Sequence, residues 1–282
     1  MIKHVSLQII NYLSISCIAL SFFSCVNNSN SNKDHLVFRY NEYANINTLD
    51  PAFSRTLQDN SVCNQLFNGL VQLDSDLNIL PCIAKNWTIS DDGLTYSFLL
   101  REDVYFHKHP LFGKDSTRTV IAQDFKYSLN RLRDEKIAAP GSWVLNKVED
   151  FKAINDTLFE MTLKQPFPAF IGLLTMKYCS VVPKEIVEHY GTEFRSHPIG
   201  TGPFKFKRWE ENIKLVFRKN QSYFEKDETG EQLPYLESVA VTFLPDKQSE
   251  FLHFAQGNIH YISGLYDSYK DELLKAYGRL RE

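Results

Sequence analysis

The side chains that could carry catalysis are few and scattered along the chain. His107 and His109 are the only close histidine pair, and on a strand their i, i+2 spacing would place both rings on one face. A zinc site usually needs three or four protein ligands. Two histidines alone therefore do not predict a metal site.

The common catalytic signatures are absent from the sequence. It contains no Gly-rich phosphate loop, no His-Glu-x-x-His, no Cys-x-x-Cys and no Gly-x-Ser-x-Gly turn. Carboxylates are plentiful but dispersed, and Asp91-Asp92 is explained by a predicted turn. We predict no catalytic residue, no metal and no cofactor. A secreted lipoprotein hydrolase that uses scattered acids is an alternative hypothesis.

Composition limits the class of protein. The chain has 282 residues, of which 43% are hydrophobic, enough to bury a sizeable core. Lys and Arg number 31 against 34 Asp and Glu, and a net charge of -3 provides no broad basic field for nucleic acid. We therefore predict a globular protein that does not bind nucleic acid.

The first segment is typical of an export signal. Residues 5–23 are mostly apolar but interrupted by six polar side chains, which favours a cleaved signal peptide over a membrane span. Ser24 precedes Cys25, and a tract rich in Asn and Ser follows, an order that resembles a bacterial lipoprotein signal. This predicts a signal peptide at residues 1–24, lipidation of Cys25 and a tether at residues 25–35. Conventional cleavage without lipidation is the alternative.

Three cysteines remain in the predicted mature chain: Cys63, Cys82 and Cys179. An odd number allows at most one intramolecular disulfide, and the sequence does not indicate which pair would form it. Three buried thiols are an equally open interpretation.

The elements that must position any site are mixed helices and short strands. Apolar spacing predicts helices at residues 59–70, 122–132 and 247–255. Asp92-Gly93 predicts a hairpin over residues 87–100, with Trp87 and Ile89 facing the core, and Asn155-Asp156 predicts a second one. Further strands are predicted at residues 36–40, 71–73, 204–206, 215–217, 239–243 and 259–263. This pattern indicates an α/β protein.

Two Gly and two Pro in residues 198–203 restrict the backbone path directly before a predicted strand. The stretch predicts either a tight loop between strands or a crossing between two lobes.

Several ordered motifs together resemble one known family. They are Leu49-Asp50-Pro51, Leu66-Phe67-Asn68-Gly69-Leu70, Ala84-Lys85-Asn86-Trp87, Leu100-Arg101 through Phe106-His107, Ala122-x-Asp124-Phe125 with Ser128 and Arg131, Pro198-Ile199-Gly200-Thr201-Gly202-Pro203-Phe204, and Gly257-Asn258-Ile259. The family is the extracytoplasmic solute-binding proteins of ATP-driven importers, family 5, which includes oligopeptide- and dipeptide-binding proteins.

The resemblance implies an α/β fold of the periplasmic-binding-protein type, class II or cluster C. Residues 36–70 and 184–260 would form the first lobe, and residues 71–183 its inserted subdomain. Residues 261–282 would begin a second lobe that is largely missing, so we expect a truncated protein or fragment. A non-functional fragment is therefore a second alternative.

The resemblance also implies a site, a ligand and partners. Peptide would bind at Ser54, Arg55, Thr56 and Leu57 and near Pro140, Gly141, Ser142 and Trp143. The crossing between lobes would comprise Gly200, Thr201, Gly202 and Pro203. The protein would be a periplasmic or cell-envelope lipoprotein that delivers di- or oligopeptides to a membrane permease and its ATPase. Nickel complexes, haem or oligosaccharides are alternative ligands within the family.

Overall fold

The computed structural model describes residues 36–264 and residue 269, which belong to one compact unit that begins at Leu36. The predicted signal peptide, Cys25, the tether up to residue 35 and most of the predicted second-lobe entrance lie outside the described residues. Within the described part of the chain, no helix has the length and apolar character that crossing a membrane requires.

The elements follow one another along the chain as an irregular mixture. The strands are β1 Val37–Asn41, β2 Val71–Leu73, β3 Ile79–Pro81, β4 Ala84–Ile89, β5 Thr95–Leu100, β6 Val148–Ala153, β7 Leu158–Leu163, β8 Phe204–Glu210, β9 Lys214–Lys219 and β10 Ser238–Thr242. The α-helices are α1 Leu57–Leu66, α2 Ala122–Arg133, α3 Phe170–Leu173, α4 Lys184–Tyr190 and α5 Lys247–Ala255. Short 3-10 turns lie at Pro51–Phe53, Pro110–Phe112, Ser142–Leu145, Lys177–Cys179 and Gly191–Ser196.

One four-stranded sheet joins the two ends of the described chain. Its order is β1-β10-β9-β8, with β1 parallel to β10 and the other neighbours antiparallel. Its core includes Phe217 and Val241 from the sheet, Val62 and Leu66 from α1, and Phe194, all of them fully buried. The predicted strands at residues 36–40, 204–206, 215–217 and 239–243 are confirmed as parts of this sheet.

A second four-stranded sheet is built from the middle of the chain. Its order is β4-β5-β7-β6, all antiparallel, and α2 packs on β6 and β7. Phe159 lies at the centre of its core, with ring centroids 6.4 Å from Phe98, 5.9 Å from Phe125 and 6.4 Å from Phe151. A separate ribbon pairs β2 with β3.

Both predicted hairpins form. Gly93 takes a φ of 70°, and the Asp92 carboxylate accepts the Leu94 N–H at 3.0 Å, so the turn between β4 and β5 follows from local chemistry. The prediction that Ile89 faces the core is wrong, because this side chain is 46% exposed. It is the last residue of β4, which is an edge strand of the second sheet.

Two other expectations from the sequence need correction. The first predicted helix ends at Leu66 rather than at residue 70, because Phe67 already has an extended ψ of 150°. Phe67 and Leu70 are buried without being helical. The predicted strand at residues 259–263 is reduced to a parallel bridge between Tyr40 and Tyr261 and a hydrogen bond from His260 N to Arg39 O.

Candidate ligand-binding cavity

The chain enters the candidate site through a tight turn after β1. The Asp50 carboxylate accepts the Ala52 N–H at 3.1 Å, and Asp50 N donates to Thr48 Oγ1 at 2.9 Å. Pro51 occupies the first position of the 3-10 turn, where no N–H is required. These local bonds fix the direction in which the following residues leave the turn.

A buried ion pair anchors this turn to α2. Arg131 forms two parallel hydrogen bonds with the Asp50 carboxylate, one of them 2.8 Å from Nη1 to Oδ1. The two residues are 9% and 3% exposed, so each charge depends on the other for compensation. The guanidinium also lies 5.8 Å from the ring centroids of Phe53 and Phe194.

The residues after the turn are extended and then enter α1. Ser54 and Thr56 have ψ values of 98° and 163°. The backbone N–H and C=O of Arg55 have no hydrogen-bond partner within residues 36–264. Thr56 caps α1, because its Oγ1 accepts the Asp59 N–H at 3.0 Å while the Asp59 carboxylate accepts the Thr56 N–H at 3.2 Å.

This segment forms part of the wall of a cavity of about 860 Å³. The volume falls in the range of small-molecule and peptide sites. Its wall mixes apolar, polar and charged side chains from the turn, α1, α2 and the α4 region: Asn47, Thr48, Asp50, Phe53, Arg55, Thr56, Asp59, Tyr127, Arg131, Lys136, Ile137, Val187, Glu188, Gly191, Thr192 and Arg195.

The electrostatics of the wall are uneven. Arg195 pairs with Glu211 at 2.8 Å and Glu188 with Lys184 at 3.7 Å. By contrast, the exposed side chains of Arg55 and Lys136 have no ion-pair partner in the described part of the chain. The wall also contains Asp59, which has no basic partner among the described residues, but its carboxylate is buried and accepts hydrogen bonds from Asn47 and Thr56. The exposed part of the wall therefore offers the positive charges of Arg55 and Lys136 to a ligand carboxylate.

Tyr127 supplies a neutral hydroxyl to the same wall. Burial raises the pKa of Tyr127 to about 12, although the nearby Arg131 acts in the opposite direction. The phenol therefore stays protonated at neutral pH and can donate as well as accept a hydrogen bond.

The predicted ligand residues occupy different environments. Arg55 and Thr56 line the cavity, whereas Ser54 is fully buried and Leu57 is 80% exposed outside the cavity wall. Gly141 is buried against Tyr178, while Ser142 and Trp143 are exposed. None of the three belongs to the cavity wall. The 3-10 turn that carries Tyr178 also packs against Pro51–Phe53, the turn directly before the first predicted stretch.

The predicted crossing packs tightly against the end of α1. A Cβ on Gly200 would lie 2.1 Å from Leu66 O, and one on Gly202 would lie 2.5 Å from Gln65 O. Gly202 N donates to Leu66 O at 2.9 Å, and Thr201 Oγ1 donates to Asn68 Oδ1 at 2.9 Å. Glycine is required here by close backbone approach rather than by a positive φ.

His107 supports this crossing from the opposite side. Gly200 N donates to its Nδ1 at 3.4 Å, so the neutral ring carries its proton on Nε2, which donates to Gly202 O at 3.0 Å. Burial lowers the pKa of His107 to about 4, and this keeps the ring neutral. Within residues 36–264, no cluster of His, Cys, Asp and Glu could hold a metal ion.

A second charged network joins α2 to α4. Arg118 donates to both carboxylate oxygens of Asp124 at 2.8 Å and to Glu185 at 2.5 and 2.8 Å. The hydrogen bonds from Arg118 lower the pKa of Glu185. The network fixes the position of α2, which carries Arg131 and Tyr127 into the cavity wall.

The sequence reasoning missed several residues of the cavity. Asp50 and Arg131 were recognised only as parts of motifs, and neither Tyr127 nor Lys136 was identified. One signal was available: Arg131 follows the apolar residues Phe125 and Leu129 on the inner face of a predicted helix, where a charge needs a partner acid.

Comparison with known proteins places these features in context. The profile of the bacterial extracellular solute-binding proteins, family 5, matches residues 78–280. The glutathione-binding protein GsiB of Escherichia coli O1:K1 is 30% identical over 196 residues, which covers 70% of this chain and 36% of that protein. The chain thus spans about a third of the length of the curated relatives it matches.

Solved structures show the same architecture. The periplasmic binding protein DppA of Helicobacter pylori, in complex with the peptide STSA, superposes with a TM-score of 0.76 and 27% identity. The match covers 87% of this chain and 50% of DppA. Haemophilus influenzae OppA, in complex with RPPGFSPFR, gives a TM-score of 0.73 at 23% identity over 86% of this chain and 48% of OppA. The mixed α/β fold expected from the sequence is thereby confirmed as that of family 5 periplasmic binding proteins.

Proposed function

Because this chain belongs to family 5 of the bacterial extracellular solute-binding proteins, we propose that it binds a peptide in the 860 Å³ cavity and serves the ligand-recognition step of an ATP-driven importer. It does so by non-covalent binding, without catalysis. The observation that carries this proposal is that Arg55 lies between two extended residues, Ser54 and Thr56, and that its N–H and C=O have no partner within residues 36–264.

An extended peptide can pair with such a backbone as an added strand. Main-chain hydrogen bonds then provide affinity that is independent of the peptide's side chains. Ser54 would stabilise the segment from beneath, and Leu57, which is 80% exposed, would contact ligand or a further part of the site. Gly141, Ser142 and Trp143 would form a second contact region beyond the cavity wall.

The charges of the wall narrow the ligand class. Arg55 and Lys136 would bind a ligand carboxylate, as found at the C-terminus of a peptide, because both lack an ion-pair partner in the described part of the chain. Glutathione, which the named relative GsiB binds, carries two carboxylates. A short peptide with a free C-terminus is therefore the ligand we propose.

The domain organisation and the cellular role that we propose are those expected for a member of this family. We propose a first lobe of residues 36–70 and 184–260, an inserted subdomain of residues 71–183 and a lobe crossing at residues 200–203. The two separate sheets support this division, while Ala52, Leu70, Tyr223 and Phe224 of the proposed first lobe pack into the core of the subdomain. Lipidation at Cys25 would hold the protein at the cell envelope, close to the permease and ATPase that receive its ligand.

Isothermal calorimetry of the full chain with reduced glutathione and with the tetrapeptide Ser-Thr-Ser-Ala tests the proposal. We expect binding of at least one peptide, and replacement of its C-terminal carboxylate by an amide should weaken binding by about tenfold. The double variant Arg55→Ala with Lys136→Ala should weaken binding of the free acid to a similar extent.

The matched control removes the same charges elsewhere. Arg208→Ala with Lys214→Ala changes one Arg and one Lys on β8 and β9, outside the cavity wall. This variant should bind as the unmodified chain does. A folded chain that binds neither peptide, or a loss of affinity equal in both variants, would refute the proposed site.

A further inference from the structure

A second, separate cavity of about 330 Å³ has an unusual charge distribution. None of its wall residues belongs to the 860 Å³ cavity, and none is a carboxylate. Four of them are permanent cations: Lys108, Lys205, Lys207 and Arg218. Within residues 36–264, none of these four side chains has an ion-pair partner.

The sheet itself places two of these cations against each other. Lys205 on β8 and Arg218 on β9 are directly paired in the antiparallel register. Like charges in this position destabilise a sheet, whereas opposite charges stabilise it. The chain tolerates this repulsion although its overall net charge is -3. A bound anion would remove the repulsion, so the arrangement is one that a ligand can stabilise.

The cationic surface continues into a neighbouring cavity of about 590 Å³. The two cavities share the wall residues His107, Lys108 and Lys205, and the second adds Lys226. Its carboxylate, Asp103, is already paired with Arg101 through bonds of 2.9 and 2.8 Å. Both cavities are therefore positively charged.

A fixed hydroxyl donor completes the smaller cavity. Leu111 N donates to His109 Nδ1 at 3.3 Å, so the neutral His109 ring donates from Nε2 to the Tyr190 hydroxyl oxygen at 3.1 Å. The Tyr190 O–H is then left to donate to a ligand. The Tyr190 ring is held by stacking on His197, with centroids 4.3 Å apart.

Apolar side chains in the cavity wall strengthen the electric field of these charges. Pro198, Ile199 and Phe206 contribute apolar surface to the same wall. A cleft lined by charges of one sign with low-dielectric walls concentrates the field and attracts counter-ions. Lysine ammonium groups act as point charges that suit phosphate oxygens.

We propose that this cationic cavity binds a phosphate group, either of a soluble phosphorylated compound or of a lipid headgroup. Lys205 and Arg218 would neutralise the phosphate, Lys108 and Lys207 would flank it, and Tyr190 would donate a hydrogen bond. This site is independent of the proposed peptide site.

Thermal unfolding of the full chain with inorganic pyrophosphate tests the proposal, with NaCl at equal ionic strength as the reference. Pyrophosphate should raise Tm and NaCl should not. The double variant Lys205→Gln with Arg218→Gln should weaken the affinity for pyrophosphate by about tenfold or more. Without anion its Tm should equal or exceed that of the unmodified chain, because a repulsive pair has been removed. A purely structural role for the two residues would lower Tm instead.

The matched control and the vesicle arm complete the experiment. Arg208→Gln with Lys214→Gln removes the same charges from the same strands outside both cavities and should retain the response to pyrophosphate.

Co-sedimentation with phosphatidylglycerol vesicles, after subtraction of binding to phosphatidylcholine vesicles, distinguishes the two sources of phosphate. Binding to the anionic vesicles that pyrophosphate displaces indicates a headgroup, whereas a response to pyrophosphate alone indicates a soluble ligand. No response in either arm, or an equal loss in both double variants, would overturn the proposal.

Discussion

His107 shows how one buried side chain can make the fold sensitive to acid. Its ring is 3% exposed, and its two nitrogens contact the backbone of Gly200 and Gly202. Protonation would place a hydrogen on Nδ1, where the ring now accepts the Gly200 N–H. The residue therefore supports the crossing only in its neutral form.

We predict that His107 makes the protein less stable as the pH falls. Burial lowers the pKa of His107 from 6.5 to about 4, with a smaller contribution of the same sign from Lys205. Between these values the unfolded chain binds a proton that the folded chain does not, so the free energy of unfolding decreases as the pH drops through this window. The decrease should reach about 3 kcal/mol by the lower end.

Urea unfolding across this pH range measures the effect. His107→Gln can still donate to Gly202 but does not titrate, so its stability should depend less on pH even if it is lower at neutral pH. His253→Gln, a partly exposed histidine on α5, is the control and should retain the full dependence. Equal pH dependence in all three proteins would contradict the assignment to His107.

At the scale of elements, the end of α1 and the predicted crossing at residues 200–203, before β8, depend on each other. Phe67 N closes the helix by bonding to Cys63 O at 2.9 Å, and Gly202 N takes Leu66 O as its acceptor at 2.9 Å. The crossing thus satisfies a carbonyl that the helix end leaves unpaired. This contact fixes α1, and with it Thr56 and the cavity wall, relative to the first sheet.

We predict that Gly202→Ala destabilises the fold by about 2 kcal/mol or more, because the new Cβ would lie 2.5 Å from backbone atoms that cannot move independently. Chemical denaturation measures the change. Gly172→Ala is the matched control: its Cβ would meet only Ile79 Cδ1, at 3.9 Å, and its stability should be unchanged or slightly higher. A similar stability of both variants would show that the crossing can relax.

At the scale of the whole molecule, the structure has two hydrophobic cores. Phe112 and Ile199 pack against both of them. One core belongs to the second sheet and α2, and the other to the first sheet, α1 and α4. Cys82 and Cys179 lie in the former and Cys63 in the latter, and all three are free thiols. The interpretation as three buried thiols therefore holds, and no disulfide joins them.

We predict that these thiols react only when the protein unfolds. Burial raises the pKa of Cys82 and Cys179 to about 12 and that of Cys63 higher still, so the reactive thiolate is scarce. Alkylation of the native chain at mildly alkaline pH, resolved by peptide mass spectrometry, should be slower than in denaturant by about 100-fold or more at each site. Rapid labelling of Cys82 but not Cys179 in the native chain would contradict this prediction. It would show that the core of the second sheet opens locally around Cys82.

Local chemistry explains which elements the sequence could predict. The hairpin at Asp92-Gly93, the helix at residues 247–255 and the apolar face of α2 each depend on residues close together along the chain; Asp246, for example, accepts the Ser249 N–H at 2.7 Å and caps its helix. The sequence predicts that the first helix ends at residue 70, because the apolar spacing continues to Leu70, whereas α1 ends at Leu66. Packing against the crossing, not the spacing, ends that helix.

The sequence by itself determined the family and the α/β class, because ordered motifs and local turn chemistry are written in consecutive residues; of the predicted ligand residues, only Arg55 and Thr56 lie in the cavity wall. Only the tertiary structure decided that Asp50 pairs with Arg131, 81 residues away, that Gly202 must approach α1 closely, and that Lys205 and Arg218 face one another. These contacts join distant segments, and their geometry depends on how both cores pack. Spacing along the chain carries no information about that packing.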